Sequence, residues 1–245
     1  MDFRTGPLKQ PDSQKISETT LIIGNQSEHS KAFTHLALGD YQNVVVASPT
    51  SHRLTEWPNW HLDGRPNTID MDFWTEDLAA QVHTEAHAKA YSFYEKLPIT
   101  LLVNLVEFKN VDPWADWESL DQSISIDVPQ LVDVTKLFYK DMVSHGKGEI
   151  LNVISCPADC NEVTREMFQS TQALLMEIAN SLNEDSPTDQ VRVHTLAYSP
   201  QSLSIQTDAL PADIAHDMVP DLCSAEDIAK YGYQILKVGR GEASK

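Results

Sequence analysis

Cysteine, basic charge and long apolar runs are all scarce in this chain, and each shortage removes a class of function. Three cysteines, Cys156, Cys160 and Cys223, stand among 245 residues. So small and odd a number argues for reduced thiols and a cytoplasmic home rather than a disulfide scaffold. No second pair joins Cys156 and Cys160 to complete a zinc set, so they read as structural thiols. Lysine and arginine number 18 against 36 aspartates and glutamates, a formal net charge of −18. Such a surface repels phosphate polymers, which makes nucleic acid and anionic membranes poor partners. No apolar run approaches membrane-spanning length, and the start Met-Asp-Phe-Arg-Thr-Gly lacks the apolar core of a signal peptide.

What remains is enough for a core: hydrophobic residues make up 41% of the chain. The length suits one α/β domain. Residues 1–19 are polar, carry Pro7 and Pro11 and show no period. They read as a flexible prefix to a single domain over 20–245. Short branched runs at Thr20–Ile23, Asn43–Ala47, Asn67–Met71, Ile99–Leu105, Glu149–Ser155 and Val191–Ala197 read as six strands. Helical spacing falls between them at Ser27–Leu38, Glu76–Leu97, Pro129–His145, Val163–Leu182 and Ala225–Val238. Strands alternating with helices predict a doubly wound parallel sheet with helices on both faces.

The stretch Glu149–Leu182 organises the rest. A nearly continuous apolar strand ends at Ser155 and leads through a polar connector into a long helix. Thr164 is placed to cap that helix, and Asn183 and Pro187 to end it. This stretch resembles the short-chain dehydrogenases/reductases, a Rossmann-fold family of NAD(P)-dependent oxidoreductases. The family's strand end Gly-x-Ile-x-Asn-x-Ser-Ser falls on Gly148–Ser155, so the resemblance implies that Ser155 is the catalytic serine. In the Tyr-x-x-x-Lys helix that follows, Met167 stands at the tyrosine position and Thr171 at the lysine position. The order of motifs follows the family from residue 20 to about 238. The family's usual final strand with its glycine pair is missing after Gly241.

The nucleotide motifs are eroded as well. A Rossmann turn needs glycines for tightness, for the approach of the pyrophosphate and for helix packing. The family's Thr-Gly-x-x-x-Gly-x-Gly falls on Ile23–Ser30, where Gly24 alone survives and Glu28 replaces the second glycine. Two unit charges about 4 Å apart at an effective dielectric near 20 repel by roughly 4 kcal/mol. Either Glu28 satisfies the helix amides itself and excludes a phosphate, or it turns to solvent and a weakened site persists. By the same resemblance Gly24, Ser27, Arg53, Asp72 and Asn104 are the candidate cofactor-binding residues. Arg53 is either an exposed arginine with no such role or the residue that meets a 2′-phosphate, in which case the cofactor is NADP rather than NAD. The family's Asn-Asn-Ala-Gly becomes Asn104-Leu-Val-Glu107, its next helical asparagine becomes Asp127, and its Pro-Gly near the nicotinamide becomes Tyr198-Ser199.

Ser155, Asp127 and Tyr198 map to strand ends or loops at the carboxyl edge, where open α/β sheets bind ligands. They are the candidate catalytic residues, with Asp127 as a base and Tyr198 as a donor for a cofactor-free lyase or isomerase. His83 and His87 have metal spacing on a helix but no third ligand, so no metal is expected. Tyr233-Gln-Ile-Leu-Lys237 matches Tyr-x-x-x-Lys by spacing, yet lies beyond the sixth strand and is rejected as catalytic. The expectation is a binding or assembly subunit with no tightly bound cofactor, a possible small-molecule ligand in the crevice and a homodimeric state. The alternative is an atypical NADP-dependent oxidoreductase or a cofactor-free enzyme in the same crevice.

Overall fold

The computed structural model describes residues 19–24, 27–39, 43–48, 67–70, 99–110, 128–187, 189–199, 202–206 and 224–239. The helix expected over Glu76–Leu97 and nearly all of the prefix lie outside them. In chain order the strands are β1 (Thr19–Ile23), β2 (Asn43–Ser48), β3 (Asn67–Asp70), β4 (Ile99–Glu107), β5 (Gly148–Ser155), β6 (Val191–Ser199) and β7 (Ser202–Gln206). The helices are α1 (Glu28–Gly39), α2 (Val128–His145), α3 (Glu162–Glu184) and α4 (Ala225–Gly239). The strands form one sheet in the order β3-β2-β1-β4-β5-β6-β7. All neighbours run parallel except β6 and β7. Among the described residues the sheet therefore has seven strands rather than about six. The additional one is a short antiparallel edge strand beside β6.

Both faces of the sheet are covered, which is why β4 and β5 read as unbroken apolar runs instead of alternating. Leu102, Val106, Ile150, Ile154 and Val193 face α2 and α3, meeting Phe138, Met142, Phe168 and Leu175. Leu101, Val103, Leu151, Val153 and Leu196 face α1 and α4, meeting Phe33, Tyr231 and Ile235. Removing a fully buried side chain such as Leu175 to alanine costs about 2–5 kcal/mol. Among the described residues no helix is long and apolar enough to cross a membrane.

The helix ends fix how the strands leave them. Gly146 adopts φ 73° after α2, a left-handed conformation that closes the helix at little steric cost. Its amide and that of Lys147 donate back to Val143 and Met142 at 3.1 Å each. The cap of α3 is Asn161, whose side chain accepts from the Thr164 amide at 2.9 Å. Thr164, expected as the cap, instead lies fully buried inside the first turn. At the other end α3 runs past Asn183, whose amide group both accepts from and donates to the Val193 backbone at 2.8 Å. Asn183 thus pins the helix to β6 rather than stopping it.

Candidate functional site

The strand order reverses between β1 and β4, and the crevice outside their carboxyl ends is where an open α/β sheet receives a ligand. Three chemically active residues lie there side by side. Glu107 of β4 is the register partner of Ser155 of β5, and Ser155 is the partner of Tyr198 of β6. Alternation along each strand puts all three on the face covered by α1 and α4. Parallel strands are about 4.8 Å apart, so the row spans roughly 10 Å.

From the first turn of α1, His29 reaches this row. Its Nδ1 lies 2.7 Å from Oε1 of Glu107, with the two side chains 22% and 20% exposed. In the tautomer that donates Nδ1–H to this carboxylate, Nε2 is left as an acceptor. His29 makes no other hydrogen bond among the described residues. Neither His29 nor Glu107 was a candidate site residue in the sequence, where they are 78 positions apart. The available signal was that Glu107 replaces a glycine of the fourth-strand motif while His29 sits between two replaced glycines.

Around the pair, three of the candidate cofactor residues, Gly24, Ser27 and Asn104, are among the described residues. Ser27 caps α1, its Oγ accepting from the Ser30 amide at 3.2 Å. Glu28 does not satisfy those amides. Its side chain is 79% exposed and pairs with Lys31 at 2.7 Å, so of the two readings open for Glu28 the geometry takes the turn to solvent. Gly24 packs directly on β4, where an added Cβ would stand 2.8 Å from Leu105 Cβ. Asn104 is fully buried and donates Nδ2 to Asn152 at 2.9 Å and to Thr135 of α2 at 3.3 Å. It therefore points to the sheet face opposite the His29–Glu107 pair. Arg53, Asp72 and Asp127 lie outside the described residues, as do His83 and His87.

The catalytic candidates divide in the same way. Ser155 is 9% exposed, and its hydroxyl has no hydrogen-bond partner among the described residues. Its carbonyl accepts from the Phe108 amide at 2.9 Å, and the next amide, of Cys156, donates to Tyr198 O at 3.0 Å. Asn110 holds the loop beyond, accepting from the Asn161 amide at 2.9 Å and donating to Asp159 O at 3.2 Å. Tyr198 is half-buried against the α1–α4 core.

On α3 the inward residues are Thr164, Phe168, Thr171, Leu175 and Ala179. Thr171 is thus buried, and Met167 packs half-buried against the α2–α3 core. Phe168 meets Phe108 edge to face at 5.9 Å. None of these side chains supplies the acid or the ammonium of a reductase. Burial, helped by a hydrogen bond with Cys160, pushes the Cys156 thiol up to about 12 against the pull of Arg165. Such a thiol is inert at neutral pH, as a structural cysteine should be. Tyr233 of the rejected Tyr-x-x-x-Lys match is buried against Phe33 at a ring distance of 6.0 Å, while Lys237 is exposed.

No protein-family model matches the sequence, and neither does any curated protein. Solved structures do match. A short-chain dehydrogenase from Streptomyces avermitilis aligns with a TM-score of 0.60 at 15% identity, over 90% of this chain and 84% of its own. A short-chain dehydrogenase/reductase family oxidoreductase from Brucella ovis, in complex with a partially ordered NAD, aligns at 0.59 and 11% identity over 93% and 96%. Serine dehydrogenase from Escherichia coli aligns at 0.60 and 17% identity over 88% and 89%. The fold is that of the short-chain dehydrogenases. Within the short-chain dehydrogenase fold, the His29–Glu107 pair crosses the carboxyl-edge crevice, with Glu107 at a motif glycine and His29 between two others.

Proposed function

We propose that this chain is a non-reducing protein of short-chain dehydrogenase fold, acting as a binding or assembly subunit whose crevice takes a small molecule without a dinucleotide. The observation that carries this is the 2.7 Å contact between His29 and Glu107. It puts a carboxylate and an imidazole where a Rossmann site needs bare backbone close to a diphosphate. The side chains at 167 and 171 support the same reading, because neither can protonate a carbonyl at neutral pH. Carbonyl-dependent oxidation of NADPH or NADH is the test. No turnover with a panel of aldehydes and ketones is expected. Turnover that disappears in Ser155→Ala would overturn the proposal.

The assembly half of the proposal rests on α2 and α3. Leu131, Phe138, Met142, Phe168 and Leu175 are used up by the sheet. A second apolar stripe remains, with Leu174 45% exposed and Leu137 and Met176 half-buried. A helix apolar on two sides needs a second cover, and a second copy of the chain is the commonest one. Light scattering should give a dimer. A monomer at micromolar concentration rules out that half.

A second reading, chemistry without a cofactor in the same crevice, is favoured by the register row Glu107, Ser155, Tyr198. It keeps Ser155 and Tyr198 in the roles the sequence suggested. The His29–Glu107 pair takes the place of a nicotinamide as the reactive partner.

A further inference from the structure

We infer that His29 is the base of a cofactor-free acid–base site acting on a small uncharged carbonyl compound. This rests on the second reading above and names its base, its positioning residue and its substrate class. A carboxylate 2.7 Å from Nδ1 favours the tautomer with the proton there, in which the lone pair of Nε2 is the one available for chemistry. A carboxylate that fixes the tautomer of a histidine also stabilises the imidazolium formed when Nε2 takes a proton. Glu107 is therefore a positioning residue.

Ser155 supplies the complementary group. Its hydroxyl is unpartnered among the described residues and stands on the strand next to Glu107, in register with it. A base in the first turn of α1, held by Glu107 at the end of β4, and a hydroxyl donor at the end of the neighbouring β5 suit removal of a proton next to a carbonyl. Nε2 takes the α-proton, the C–H electron pair becomes a carbon–carbon double bond, and the carbonyl π pair moves to oxygen. That oxygen accepts from the Ser155 hydroxyl. The proton returns to the same carbon; where that carbon bears a hydroxyl, the hydroxyl proton passes to the enolate oxygen, the carbonyl forms at that carbon, and Nε2–H protonates the former carbonyl carbon, which gives the isomer. Nothing is oxidised or reduced overall, so no co-reactant is required. The net charge of −18 disfavours anionic substrates.

Two measurements test the assignment. In nitrogen NMR, His29 should give the Nδ1–H tautomer, and Glu107→Gln should abolish that fixed state. In heavy water, the purified chain should speed deuterium entry into hydroxyacetone or cyclohexanone, and His29→Gln should reduce the acceleration by about 100-fold or more. Circular dichroism of His29→Gln and Glu107→Gln controls for folding, which the partial exposure of both side chains should leave intact. An Nε2–H tautomer, or equal exchange in wild type and His29→Gln, overturns the inference. Absence of exchange together with absence of NADPH binding removes only the role of His29. Tight NADPH binding removes the cofactor-free reading itself.

Discussion

Gly24 at the end of β1 lies so close to Leu105 of β4 that a Cβ on the glycine would stand 2.8 Å from the leucine Cβ. Packing against β4 is thus by itself a reason for a glycine at this position of the nucleotide motif. Gly24→Ala is expected to destabilise the fold by about 1–3 kcal/mol, as overpacking of a filled core does. Urea denaturation measures it. A change within about 0.5 kcal/mol, typical of an open surface site, would show that the close contact is not there.

At the start of α1 the cap and the carboxylate can be separated by mutation. Ser27→Ala removes the acceptor of the Ser30 amide and should cost about 1 kcal/mol. Glu28→Ala removes an exposed pair with Lys31 and should change stability by less than about 0.5 kcal/mol. Glu28→Gly should likewise leave any NADPH affinity where it was, because the charge facing the crevice belongs to Glu107. An equal loss in both alanine variants would contradict the division of labour.

For the Cys156 thiol, raised from 9.0 to about 12 chiefly by burial, the expected signature is in alkali. The folded chain keeps a proton that the unfolded chain releases. The stability contributed is whole below pH 9 and is lost as pH climbs toward about 12. Denaturation curves from pH 8 to 11 should fall more steeply for the wild type than for Cys156→Ala. In the native protein at pH 8, a thiol reagent should leave Cys156 unlabelled. Rapid labelling there would refute the buried, protonated thiol.

Much of this architecture was legible in the residues. Buried parallel strands such as Gly148–Ser155 announce themselves as short branched runs because both their faces are covered. The strand Ser202–Gln206 was missed although serine and apolar residues alternate along it, because a five-residue run is short. The site was legible only in part. Ser155 and Tyr198 could be placed at the carboxyl edge from strand ends alone. Asn104 could have been assigned to the opposite face from Glu107 by counting alternation, whereas motif matching sent it toward the cofactor. The His29–Glu107 pair needed the strand order and the entry of α1, which no local signal encodes.

The account turns on whether the crevice still admits a dinucleotide, and titration calorimetry with NADPH and NADH asks this directly. Neither cofactor is expected to reach a low-micromolar dissociation constant with the wild-type chain. Glu107→Gly with His29→Gly should bind more tightly than the wild type, if the pair is the obstacle. Low-micromolar binding of either cofactor to the unaltered chain would contradict the central claim.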